Sequence, residues 1–124
     1  MAEHDIPREE TMTLIASDKV EGTPVYNRQN EKLGSIHNLM VDKRSGKVEY
    51  AVMSFGGVLG MGTDYYPLPW GSLTYDPAQG GYIVDIDKET LKSAPHYKPT
   101  DTPRYDRAYG ESVYGHYGLN YPLT

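Results

Sequence analysis

Apolar and polar residues alternate along two neighbouring stretches in the middle of the chain, residues 33–41 and 47–53. A polar segment that ends in glycine, residues 42–46, separates them. Apolar, β-prone runs on either side of a short glycine-containing turn are typical of a β-hairpin. The first run departs once from strict alternation, and a β-bulge near His37 and Asn38 would account for the departure and add curvature.

The same kind of pattern predicts further short strands and one helix. The predicted strands lie at residues 23–26, 64–70, 73–75 and 81–84, with a second hairpin turn over residues 76–80. Because proline has no backbone N–H, Pro67 and Pro69 place the strand over residues 64–70 at a sheet edge or keep it short. Asp87 is positioned to cap a short helix over residues 87–94, which Pro95 ends.

Together these elements predict a mostly β fold, a small open antiparallel β-barrel of about six strands. We expect a flexible N-terminal arm at residues 1–12, the barrel domain at residues 13–97, and a Tyr/Gly-rich C-terminal extension at residues 98–124. Phe55 and Trp70 are expected to fill the core, with an interface role as the alternative. Nine other residues are expected to be largely buried: Ile36, Leu39, Val41, Val48, Tyr50, Val52, Leu68, Ile83 and Leu91.

The segment over residues 96–124 holds half of the 12 tyrosines of the chain. Thr102 followed by Pro103 is typical of a helix start. From Tyr105 to Tyr117, aromatic and aliphatic residues recur at helical spacing. Two glycines in the same stretch oppose a helix. Two alternatives therefore stay open, an amphipathic helix and a low-complexity tail without fixed structure.

Composition narrows the classes of function. The chain has 124 residues and a formal net charge of -5, from 17 acidic against 12 basic residues. Direct nucleic-acid binding is disfavoured because phosphate contacts need a basic excess. No apolar run approaches the ~20 residues of a membrane helix, so we expect no membrane insertion. The chain has no cysteine and its N-terminus lacks the apolar core of a secretion signal, so a cytoplasmic location is expected.

No arrangement of residues predicts catalysis, a cofactor or a metal. The four histidines lack the spacing of convergent metal ligands, and no serine lies in a nucleophile motif. The glycine-rich loop over residues 56–62 is a weak nucleotide-binding candidate, because no helix follows it. We interpret the loop as a flexible connection or as an apolar contact loop that carries Val58, Leu59 and Met61.

Several motifs occur in an order that resembles the PRC-barrel family. They are Gly34-x-Ile36, Leu39-Met40-Val41-Asp42, Gly46, Val48-x-Tyr50-x-Val52, Leu68-Pro69-Trp70-Gly71-Ser72-Leu73 and Leu91-Lys92-Ser93-Ala94-Pro95. The resemblance is strongest to stand-alone bacterial members. It implies a small open barrel that acts as an adaptor on other proteins. The family domain also occurs in the photosynthetic reaction-centre H subunit and in a ribosome-maturation factor. We expect this chain to have neither the membrane helix of the former nor the second domain of the latter.

Two hypotheses for function follow. The first is a non-catalytic protein-interaction module that self-associates as a homodimer or small even oligomer, linked by family analogy to photosynthetic electron-transfer or ribosome-assembly complexes. Its candidate contact residues are Val58, Leu59, Met61, Tyr105, Tyr109, Tyr114 and Tyr117. The alternative is a small-molecule-binding or enzymatic β-barrel with a pocket at the open barrel mouth.

Overall fold

The computed structural model describes residues 13–56 and 62–122. The helices are α1 (Ser17–Val20), α2 (Lys88–Lys92) and α3 (Arg107–His116). The strands are β1 (Pro24–Tyr26), β2 (Lys32–Val41), β3 (Val48–Phe55), β4 (Asp64–Pro69), β5 (Leu73–Asp76) and β6 (Gly81–Val84). A short 3-10 helix, Trp70–Ser72, connects β4 to β5.

The six strands form one curved sheet in the order β4-β3-β2-β1-β6-β5, a half-barrel that confirms the predicted mostly β fold. The proline-containing strand β4 lies at an edge, as predicted. The expectation of a wholly antiparallel sheet is wrong in one place, because β1 and β6 pair in parallel, with Val25 opposite Tyr82. The β5–β6 hairpin can reach only the side of β1 that β2 leaves open, and the long connection from β1 to β6 permits the parallel direction.

The central hairpin forms as its sequence predicts. In the turn, the carboxylate of Asp42 accepts backbone hydrogen bonds from Arg44 at 2.8 Å and Ser45 at 2.9 Å. Gly46 adopts φ 77°, a left-handed conformation that favours glycine. The register shifts between residues 36 and 38, which confirms the predicted bulge. The turn is therefore fixed by local hydrogen bonds, and the bulge supplies the curvature of the sheet.

Strand β3 is buried on both faces over residues 50–53. Its inward residues Ala51 and Met53 belong to the main core, between the sheet and α2. Its outward residue Tyr50 belongs to a second core with Val113 and Tyr114 of α3. The half-barrel is thus covered on its outer face by the C-terminal helix, and this cover explains why β3 has no solvent-facing side.

Most of the predicted core residues are buried, with one error. Five are buried: Ile36, Tyr50, Val52, Leu68 and Leu91. Three are half-buried: Leu39, Val48 and Ile83. Val41 is 51% exposed, so its predicted burial is wrong. It is the last residue of β2, where the hairpin extends past the core and residues 43–47 are all exposed.

Phe55 and Trp70 are half-buried and pack against the main core, as expected. The Phe55 ring meets that of Tyr66 edge-on at 5.5 Å between centroids. The Trp70 ring lies 5.7 Å from that of Tyr82. Each pair therefore joins a half-buried ring to a buried tyrosine of the main core.

Two helices begin at aspartate caps. The Asp87 carboxylate accepts a hydrogen bond from the Thr90 backbone N–H at 2.7 Å, which confirms the predicted cap of α2. The C-terminal extension forms α3, so the helical alternative is confirmed. The predicted start at Thr102 is wrong. The carboxylate of Asp106 caps the helix instead, accepting a hydrogen bond from the Tyr109 backbone N–H at 3.0 Å.

Candidate functional site

The tyrosines predicted for protein contact gather on the outer face of the half-barrel. Tyr105, Tyr109, Tyr114 and Tyr117 pack there around Tyr50 and Val113, together with Tyr121. We call these six tyrosines the tyrosine cluster. The other predicted contact residues, Val58, Leu59 and Met61, lie outside the described residues. Within the described chain, the extension therefore docks on its own barrel.

Tyr114 fixes α3 to strand β3. Its hydroxyl donates a hydrogen bond to the backbone carbonyl of Glu49 at 2.6 Å, and its side chain is 7% exposed. Its ring meets that of Tyr50 edge-on, with 5.5 Å between centroids. Edge-to-face aromatic pairs add about 0.5–1.5 kcal/mol to the stabilisation from buried area. The hydroxyl is paired and the ring is buried, so Tyr114 acts as an anchor of the extension.

Tyr97 closes the outer edge of the sheet at β4. Its backbone exchanges two hydrogen bonds with that of Tyr65, at 2.8 and 3.0 Å. Its hydroxyl lies 2.6 Å from that of Tyr105, so the two phenols share a hydrogen bond. Unpaired strand edges are prone to pair with other chains. The extension protects this edge, and it does so through the main chain as well as through side chains.

Burial raises the pKa of several phenols in the cluster. Among the described residues, no hydrogen-bond partner reaches the buried hydroxyls of Tyr109 and Tyr117. Burial raises the pKa of Tyr109 to about 12. Burial, reinforced by the charge of Glu49, raises the pKa of Tyr114 to about 12 as well. The packed extension thus favours neutral phenols.

We expect the extension to leave the barrel in strong alkali. Tyrosine in an unfolded chain has a pKa of about 10. Because the pKa values of Tyr109 and Tyr114 are raised to about 12, their contribution to stability is complete below the unfolded value. That contribution is lost as the pH rises from about 10 through about 12. Phenolate absorbance and near-ultraviolet circular dichroism, recorded together against pH, should change in step. Ionisation of all the phenols with unchanged dichroism would contradict the packing.

An apolar groove lies at the opposite edge of the sheet. It has a volume of about 320 Å³ and runs along β5, lined by Leu14, Ile15, Trp70, Leu73, Tyr75 and Tyr82, with Thr13 at one end. We call it the β5 groove. Among the described residues, five large hydrophobic side chains are markedly exposed, and three of them line this groove. They are Leu14 at 71%, Tyr75 at 48% and Ile15 at 42%.

The sequence interpretation missed the β5 groove. Its parts come from residues 13–15 and from residues 70–82, which are distant along the chain. Leu14 and Ile15 form an apolar pair just after the acidic N-terminal segment, and that pair was the available signal. It became meaningful only when the fold placed it beside the edge strand β5.

In the ranges 13–56 and 62–122, no group of three or more His, Asp or Glu side chains is arranged to hold a metal ion. Within the same ranges, no helix is both long and apolar enough to cross a membrane. The carboxylates of Asp85 and Asp87, two residues apart, have separate structural tasks. Asp85 pairs with Arg28 at 3.3 Å, and Asp87 caps α2.

The six strands form a small curved sheet with both parallel and antiparallel pairs, and the short helix α2 packs on its main core. This arrangement is a half-barrel domain. The PRC-barrel domain matches residues 12–91 of the chain, which include all six strands. The chain therefore belongs to the PRC-barrel family. The match ends within α2, so α3 and five of the six tyrosines of the cluster, all except Tyr50, lie outside the matched region.

One solved structure with detectable similarity is that of a protein described as a 16S ribosomal RNA processing protein, RimM, from Pseudomonas aeruginosa. The two sequences are 26% identical, and the structures superpose with a TM-score of 0.41. The match covers 68% of this chain and 50% of that one, so the chain spans about half the length of RimM. No match was found among curated proteins.

Proposed function

We propose that this PRC-barrel protein is a non-catalytic interaction module that associates with a second copy of itself through the β5 groove. The supporting observation is the concentration of exposed apolar side chains, Leu14, Ile15 and Tyr75, in one groove beside a sheet edge. Apolar surface that is gathered in a patch, and not scattered singly, marks contact sites in soluble proteins.

The edge of the sheet at β5 can extend this surface. At the opposite edge, the backbone of Tyr97 pairs with one residue of β4, Tyr65. Beyond β5 the described residues form no further strand, and Ile15 in the groove beside it forms only a single β-bridge. An edge strand presents a row of backbone donors and acceptors that can pair with another strand. Two copies of β5 can pair antiparallel about a two-fold axis, the commonest symmetry of soluble oligomers.

Charge does not oppose a second copy at this groove. The chain carries a net charge of -5, so most pairings of its surface with itself bring like charges together. The described residues that line the β5 groove include no charged side chain. Two copies can therefore meet there without desolvating a charge, a step that costs several kcal/mol per ion. Trp, Tyr and Leu at the centre of such a contact supply the buried apolar area.

The absence of catalysis is part of the proposal. The polar groups on the described outer face include phenols, the backbone carbonyl of Glu49 and the side chains of His37 and Asn38. The phenols pack the extension against the barrel. The further partners of the module, including complexes of ribosome assembly or photosynthetic electron transfer, are a prediction that rests on the family resemblance alone.

A pair of single substitutions tests the proposed surface. We expect Leu14→Asp to weaken dimerisation at least about tenfold, because it places an unpaired carboxylate in an apolar contact. Val41→Asp is the matched control: it adds the same charge at an exposed aliphatic residue outside the groove, and should leave dimerisation nearly unchanged. Size-exclusion chromatography with light scattering measures both. Equal effects of the two substitutions would show that the groove is not the interface.

A further inference from the structure

A second hollow lies on the outer face of the sheet, where the C-terminal extension crosses β2 and β4. Its volume is about 330 Å³, within the range of small-molecule sites. The barrel contributes His37, Asn38, Met40 and Tyr65. Tyr97 at the end of the barrel domain and the following extension residues Thr102, Pro103 and Tyr105 contribute the rest. The hollow is therefore formed jointly by the barrel and the extension.

The ring of Tyr97 stands nearly at right angles to the rings of two other tyrosines, Tyr65 and Tyr105. The rings of Tyr65 and Tyr97 have centroids 5.8 Å apart and planes at 77°. Those of Tyr97 and Tyr105 are 6.2 Å apart with planes at 87°. Rings in this relation form adjoining walls, and the hydrogen bond between the Tyr97 and Tyr105 hydroxyls holds two of the walls in place.

The rings that line the hollow are themselves in contact with further aromatic side chains. The imidazole of His37 stacks on the Tyr65 ring at 4.3 Å between centroids, with planes 15° apart. The Tyr105 ring also makes edge-to-face contacts with the rings of Tyr50 and Tyr109, with centroids 5.2 and 5.1 Å apart. These contacts restrict the rotation of the rings. The walls are thus preorganised, a condition that reduces the entropy lost when a ligand binds.

The electrostatics of the hollow favour a cation. Among the described residues, its lining includes no lysine or arginine. In the adjoining hollow, which shares Tyr97 and Pro103, the carboxylate of Asp64 is paired with the ammonium of Lys98 at 2.7 Å, and Asp101 supplies one further carboxylate. Aromatic faces carry partial negative charge, and sets of perpendicular rings bind quaternary ammonium groups through cation–π attraction.

We propose that this hollow is an aromatic cage that binds a compact quaternary ammonium group, such as the trimethylammonium head of choline. Tyr65, Tyr97 and Tyr105 supply the ring faces, and the carboxylate of Asp101 in the adjoining hollow adds a favourable field. The site goes beyond the proposed self-association. It lies on the outer face and not at the β5 edge, and it needs residues 97–105, which follow the matched domain.

Titration of the full isotope-labelled chain with choline tests the proposal by NMR. We expect amide shifts that are concentrated at His37, Asn38, Tyr65, Tyr97 and Tyr105, and upfield ring-current shifts of the choline methyl protons. The neutral isostere is neohexyl alcohol, in which a carbon atom replaces the choline nitrogen. It should bind about tenfold more weakly, because it has the same shape without the charge.

A substitution in one wall provides the second test. Tyr65→Leu should weaken choline binding about tenfold or more, because it removes one ring while the backbone pairing with Tyr97 remains. Tyr26→Leu is the control: it removes a half-buried tyrosine on β1 that does not line the hollow, and should leave choline binding unchanged.

The wild-type titration decides the matter even if a variant fails to fold. Equal binding of choline and neohexyl alcohol would overturn the proposal, because the hollow would then be merely apolar. The proposal would also be overturned if choline changed no amide chemical shifts, or changed only those of residues outside the hollow. A trimethyl-lysine peptide carries the same head group as choline, and comparing the two identifies the source that the cage accepts. Either one supports the proposal if it binds with the shifts described. Loss of dimerisation alone leaves these results unchanged.

Discussion

Val113→Asp is expected to detach the C-terminal extension from the barrel. The Val113 side chain is fully buried between the outer face of the sheet and the tyrosine cluster. A carboxylate there would be unpaired, at a cost of several kcal/mol. Helix α3 contains Gly110 and Gly115, and short helices depend on tertiary packing for their stability. The helix should therefore unfold once its contact is lost, and not persist in solution.

Amide hydrogen exchange measures this release directly. In the Val113→Asp protein, protection should fall throughout residues 97–122 while β2 and β3 remain protected, because the matched domain ends before α3. Ser112→Asp is the control, with the same charge at the adjacent exposed residue, and it should exchange like the wild type. If both variants retained protection in α3, burial of Val113 in the second core would not be what attaches the extension to the barrel.

Gly34→Ala should destabilise the barrel itself. A Cβ atom at Gly34 would overlap the backbone carbonyl oxygen of Ser54 in β3 and approach the Met53 side chain at 3.0 Å. Strands β2 and β3 are both interior strands of the sheet, so neither can shift without disturbing its backbone hydrogen bonds to both neighbours. Overpacking of this kind typically costs about 1–3 kcal/mol, and backbone overlap places the expected loss near the upper value.

Equilibrium unfolding in urea measures the stability lost in the Gly34→Ala protein. Gly71→Ala is the control, since a Cβ atom there meets nothing within 4 Å and the residue lacks a positive φ. That substitution should be neutral or slightly stabilising, because it restricts the unfolded chain. A Gly34→Ala protein as stable as the wild type would mean that β2 and β3 are farther apart than the structure shows.

Features determined by neighbouring residues could be predicted from the sequence. The turn at Asp42 needs only its own backbone and the glycine that follows. The cap at Asp87 is equally local. The bulge near residues 36–38 could be predicted because apolar and polar residues alternate regularly along a strand, and a break in that alternation shows in the sequence. Each of these depends on contacts within a few positions, where residue type and geometry are closely linked.

Features determined by distant residues could not be predicted in the same way. The parallel pairing of β1 with β6 depends on where a remote hairpin returns. The tyrosines of the extension suit an internal face and an external partner equally well, and only the fold shows Tyr114 bound to β3. The β5 groove and the aromatic hollow each combine segments more than 50 positions apart. The candidate sites therefore emerged from tertiary structure.

The central claim is that the β5 groove joins two copies of the chain. Its most direct test is sedimentation equilibrium of the full chain over a range of concentrations. If the groove joins two copies, the apparent mass rises with concentration from that of the 13.9 kDa chain towards twice that value. The Leu14→Asp protein should remain at the lower mass under the same conditions. A wild-type chain that stays at the mass of one copy up to high micromolar concentration would contradict the account.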